Sequence, residues 1–190
     1  MPRWEPDSRE RLVASALQLF SEQGYDNTTV AEIAKQAGLT RSTFFRHFPD
    51  KREVLAAGQE TLSRLLHEGI SSAPPESSAL TAVIAGLELA ASNLTPFNRE
   101  LGPQLHAIVE SSVELRERYQ LKQLGFATSM SEALRKRGVR EVVARLAAEV
   151  GVLAFNDAYE RWIEKDNQQE LNELLRAAVQ RLRIAFTELD

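Results

Sequence analysis

The chain has 190 residues, 43% of them hydrophobic, with a formal net charge of −4; this excludes disorder and leaves room for a small module joined to a larger one. It has no cysteine, which excludes a disulfide framework, an iron–sulfur cluster and a thiolate nucleophile. Its histidines, His47, His67 and His106, lack the spacing of a metal motif, so neither a metal nor a cofactor is expected. Residues 1–52 carry a net +1 and residues 53–190 a net −5, so only the first part suits a polyanionic partner. The polar start lacks the apolar core of a secretory signal, and no stretch reaches the roughly 18 apolar residues of a spanning helix; a soluble, cytoplasmic protein is expected.

From Asp7 to about Glu22, Leu12, Ala16, Leu19 and Phe20 recur at helical spacing. Asp7 and Glu10 form a capping-box pattern, and Gly24 marks the stop. Thr29 and Glu32 repeat the box ahead of Val30, Ile33, Ala34 and Ala37, a short helix ending at Gly38. Thr40 then caps a third helix carrying Phe44, Phe45 and Phe48. Helix, tight turn with glycine, short helix is the spacing of a helix-turn-helix. A further box, Asp50 to Glu53, predicts a connector helix over residues 50–70 through Val54, Leu55, Leu62, Leu65 and Leu66.

Ser71 to Ser78 is rich in serine and proline and reads as a connection. Helical patterns follow near 79–92, 97–110, 112–137, 140–165 and 168–187, with Pro103 requiring a helix start or a kink in the second. The fold class is therefore all-α: a three-helix head over 1–52 and a larger helical domain over 53–190. The last two helices carry broad apolar stripes, with Val143, Leu146 and Val150 on one and Leu171, Leu175, Val179, Leu182 and Phe186 on the other. Such stripes either finish the monomer core or meet a second copy, and these eight residues are the expected dimer interface.

A recognition helix offers its first turn to the major groove while its inner face packs on the preceding helix. In Thr40-Arg41-Ser42-Thr43-Phe44-Phe45-Arg46-His47-Phe48, small and hydrogen-bonding residues occupy the outer start and aromatics anchor the inner side. Arg41 has the reach to bond guanine O6 and N7, while Ser42 and Thr43 suit a base edge or a phosphate. Thr29 and Lys51 flank the helix where backbone phosphates would pass, and His47 is placed to donate to a phosphate or to pack between helices.

The run from Thr29 through Gly38, Phe44, Phe45 and His47 to Lys51 closely resembles the DNA-binding signature of TetR-type regulators. The resemblance is strong over roughly residues 8–52. It implies that Thr29, Thr43, His47 and Lys51 match DNA-contacting positions, and that the remainder forms a ligand-binding and dimerisation domain. One departure is Phe45, which stands where the family often has a phosphate-contacting tyrosine. Tyr159-Glu160-Arg161-Trp162 more loosely resembles regulators of the mycofactocin-associated branch.

Family members commonly bind a small effector in the second domain. The residues available for such a pocket are Phe97, Leu101, Leu105, His106, Phe126, Met130, Phe155, Asn156 and Tyr159, the polar ones orienting one polar end of an otherwise apolar molecule. An enzyme is not expected, since nucleophile-elbow, phosphate-loop and zinc-helix motifs are all absent. The expected function is a homodimeric repressor of a palindromic operator, released by an apolar effector. The alternatives are a helical protein-interaction scaffold and a constitutive DNA-binding regulator.

Overall fold

The structure, a computed structural model, describes residues 7–188; the polar start at residues 1–6 lies outside them. The elements, in chain order, are α1 (Ser8–Gln23), α2 (Val30–Gln36), α3 (Arg41–His47), a 3-10 helix (Arg52–Ala56), α4 (Gln59–Ser72), α5 (Ala79–Ala91), α6 (Pro96–Ser111), α7 (Val113–Lys136), α8 (Glu141–Trp162) and α9 (Leu171–Thr187). Among the described residues the fold is all-α, and no single helix is long and apolar enough to cross a membrane.

Two compact units emerge, Met1–Ala57 with Leu101–Gln120, and Gly58–Glu100 with Leu121–Asp190. The first unit differs from the expected head by adding the end of α6 and the start of α7. The reason is apolar burial: Ile108, Val109 and Leu115 complete the core built by Leu12, Phe20, Ile33, Phe44 and Phe48, since three short helices alone leave part of that core wet.

The expected connector helix over 50–70 is also corrected. Asp50 Oδ1 accepts from Glu53 N at 3.1 Å, but the Glu53 carboxylate that would complete the box pairs with Arg118 instead, and only a 3-10 helix follows. Ala57 is extended and Gly58 left-handed, with φ of 82°, so α4 begins afresh at Gln59. Pro103 lies inside α6, and Pro96 takes its first position, where a missing N–H costs nothing.

In the second unit, α4 and α5 approach with no side chain between them at one point: a Cβ on Gly69 would lie 2.6 Å from Gly86 Cα. Arg137 closes the end of α4 by donating to the carbonyls of Ile70 (3.1 Å), Ala73 (2.7 Å) and Pro74 (2.7 Å), which satisfies acceptors a helix terminus leaves open. The core here is built from Ile70, Val83, Met130, Leu134, Ala154, Leu174 and Leu175.

Candidate nucleic-acid interface and internal cavity

The turn between α2 and α3 is set by the backbone. Leu39 N donates to Ala34 O at 2.8 Å and Gly38 N to Lys35 O at 3.0 Å, the two bonds of a Schellman motif. That motif needs a left-handed residue, and Gly38 has φ of 66°. Arg11 donates to Ala37 O at the same turn; a Cβ on Gly38 would meet its guanidinium at 2.8 Å.

Phe44 anchors α3 from inside, 0% exposed, its ring 5.6 Å from Phe45 and 5.7 Å from Phe48. The exposed face carries Arg41, Ser42, Phe45 and Arg46, while Thr43 and His47 are half-buried at its margin. Phe45 is 49% exposed, held edge-on by Phe44.

Both threonines at the helix starts are caps. Thr29 Oγ1 accepts from Glu32 N at 3.2 Å and donates to Glu32 Oε2 at 2.7 Å. The hydroxyl bond first, and then a bond from Thr29 N to the same Glu32 Oε2 at 2.8 Å, hold the Glu32 carboxyl below its ordinary range. Thr40 Oγ1 accepts from Thr43 N at 3.1 Å and lies 2.9 Å from the Thr43 hydroxyl. Lys51, read as a phosphate clamp, turns back onto the head: its ammonium donates to Tyr25 O at 2.6 Å, Thr28 O at 2.9 Å and Asp26 O at 3.3 Å.

Other head contacts escaped the sequence reading because they join distant segments. Arg118 grips Glu53 with two bonds of 2.8 Å, and that pairing raises its pKa against the opposing effect of burial. Tyr25 Oη donates to Glu114 Oε1 at 3.3 Å.

The second unit holds a small, partly open apolar cavity of about 20 Å³, lined by Leu62 and Leu66 of α4, Leu87 and Ala90 of α5, Gln123, Phe126 and Met130 of α7, and Val152 and Phe155 of α8. Of the nine pocket residues expected, Phe126, Met130 and Phe155 are there. Gln123 Nε2 donates to Asn156 Oδ1 at 3.0 Å, which sets the Asn156 amide beside the cavity's polar lining residue. Tyr159 instead stacks on Phe155, with centroids 6.0 Å apart, and packs toward Trp162. Leu101 and Leu105 pack on the core of the first unit, His106 is exposed, and Phe97 is half-buried away from the lining. The reason is that α6 contributes its second half to the head, which a helical period does not reveal.

The expected dimer residues divide by burial. Val150, Leu171, Leu175 and Val179 are buried within the protomer, Leu175 at 0% exposure, which removes them from any surface open to a second chain. Val143 and Leu182 are half-buried. Leu146 and Phe186 are exposed, as are Leu153, which belongs to the same apolar stripe of α8, and Val142 and Ile184, two residues the sequence reading passed over.

Residues 12–57 match the family described as bacterial regulatory proteins, tetR family. The HTH-type transcriptional regulator TcmR of Streptomyces glaucescens is 49% identical over 47 residues, 25% of this chain and 21% of that protein. AcrR of Shigella flexneri is 42% identical over 50 residues, 26% of this chain and 23% of that protein. This chain thus spans less than a quarter of the length of either. The stearoyl-CoA complex of FadR from Bacillus subtilis shares the fold over 90% of this chain and 95% of that one, with 20% identity and a TM-score of 0.56. Nothing in these similarities ties the chain to the mycofactocin-associated branch; the Tyr159 and Trp162 that suggested it pack with the core.

Proposed function

We propose that the protein is a transcriptional repressor that binds a palindromic operator in the cytoplasm as a homodimer. The observation carrying this reading is the exposed face of α3: two guanidiniums, a hydroxyl and an aromatic ring, on a helix whose inner side is locked by Phe44. Arg41 reads a guanine, Arg46 and Ser42 meet phosphate or base edges, and Phe45 packs on a thymine methyl, the main apolar group that a major groove offers. Thr43 and His47, at the margin of that face, complete the contact. A FadR of Thermus thermophilus described as a transcriptional repressor has this fold, which supports repression as the direction.

The effector of this reading is small and apolar with one polar end. It enters the cavity between α4, α5, α7 and α8, where the lining is apolar except for Gln123, and its polar end meets the Gln123–Asn156 amide pair. A cavity of about 20 Å³ also favours a second reading, a constitutive regulator without an effector, because a drug-sized ligand needs several hundred Å³.

The decisive test is selection from a randomised duplex pool. The wild type is expected to enrich a two-fold symmetric sequence, and Arg41→Ala to lose about 1–3 kcal/mol of discrimination at one symmetric base position. An unchanged preference profile removes Arg41 from base readout. No enrichment by a folded protein overturns the DNA reading in favour of a helical interaction scaffold.

A further inference from the structure

We propose that Phe45 makes the protein a reader of the pyrimidine 5-methyl group, so that an operator carrying 5-methylcytosine in place of cytosine at one symmetric position is bound more tightly. This inference deepens the DNA-binding reading and rests on it.

Phe45 is 49% exposed, and no other large apolar side chain is exposed among the described residues 7–57. The buried Phe44 backs its ring, edge to face, with centroids 5.6 Å apart and planes at 84°. Phe44 is held in turn by Phe48 at 5.7 Å. The phenyl therefore stands on the outer face of α3 already in place, and a contact made there costs little ordering.

A phenyl ring has no donor and no acceptor to offer a base or a phosphate. Against an exocyclic amine or a keto oxygen it strips water from a polar group and returns no hydrogen bond. Against a 5-methyl group it takes apolar surface out of water on both sides. Thymine carries that group, and 5-methylcytosine carries the same group on the edge of a cytosine. A side chain blind to hydrogen-bonding patterns distinguishes pyrimidines by the methyl alone. Arg41 lies one turn earlier on the same exposed face, about 6 Å along the helix axis. The methyl read by Phe45 is therefore expected within about two base-pair steps of the guanine read by Arg41.

The test starts from a duplex that the folded wild type enriches from a random pool. In both half-sites at once, each thymine is replaced in turn by uracil, and each pyrimidine in turn by cytosine or 5-methylcytosine opposite guanine. Thymine against uracil, and 5-methylcytosine against cytosine, each compare one methyl group with the partner base unchanged. One symmetric position is expected at which the methyl tightens binding in both comparisons, by about fourfold for each half-site, the worth of one apolar carbon leaving water. Phe45→Ala abolishes the increment there, and Phe45→Leu, still apolar, keeps part of it; melting curves verify that both variants are folded. Methyl groups without effect at every position of a duplex that is bound overturn the inference and leave the DNA-binding reading standing. An increment that survives Phe45→Ala also overturns it, since the contact then belongs to another side chain. A folded wild type that enriches no duplex refutes the DNA-binding reading and this inference together.

Discussion

Tyr25 places its ring 5.2 Å from Phe20 and its hydroxyl at Glu114. Burial first, and then the Glu114 carboxylate, push the phenol well above the ordinary tyrosine range. A folded pKa raised above the unfolded value of about 10 means stability that is complete below that pH and lost as pH rises beyond it. Tyr25→Phe is expected to cost about 1 kcal/mol at neutral pH, the net worth of one hydrogen bond, and to suffer less than the wild type in alkali. Melting curves from neutral to strongly alkaline pH check this, since the two proteins converge only if Tyr25 is the titrating group. The same residue marks a limit of legibility. Tyr25 stands one residue past Gly24, in the turn that follows α1, and nothing local to it announces a partner as far along the chain as Glu114.

Capping boxes, the Schellman glycine and the apolar period of α1 were legible because each is a local event, settled within four or five residues. The faces of α8 and α9 were not. A stripe such as Leu171, Leu175 and Val179 states that the helix has an apolar side, and only packing decides whether that side meets the same chain or another. Burial assigns it to the protomer core and leaves Val142, Leu146 and Leu153 of α8 and Ile184 and Phe186 of α9 exposed. In the homodimer proposed above these residues form the contact. Leu146→Asp combined with Ile184→Asp is expected to yield a folded monomer in sedimentation, while Leu175→Ala lowers stability by about 2–5 kcal/mol without dissociating the dimer. A double variant that remains dimeric moves the interface elsewhere.

Helix α7 runs through both units, with Leu115 in the core of the first and Phe126 and Met130 lining the cavity of the second. An effector acts on DNA affinity only if it binds two arrangements of the molecule unequally. Filling the cavity by Ala90→Leu is expected to leave duplex affinity near that of the wild type and to abolish the response to an apolar ligand such as a medium-chain alcohol. In the wild type that ligand weakens binding by about tenfold, equivalent to about 1.4 kcal/mol of coupling. Duplex titrations with and without the alcohol measure it, and a wild type indifferent to apolar ligands leaves the constitutive reading.

Read by itself, the sequence determined the helical class, the order of the helices, the helix-turn-helix and the exposed chemistry of α3, because helical period, caps and a left-handed glycine act over one or two turns of chain. Tertiary structure alone decided that Ile108 and Leu115 belong to the head, that Leu101 and Leu105 leave the cavity, and that the Lys51 ammonium turns inward to three carbonyls. Those outcomes depend on which distant surfaces compete to bury the same apolar area, or to satisfy the same donors, and neither is written in the spacing of neighbours along the chain.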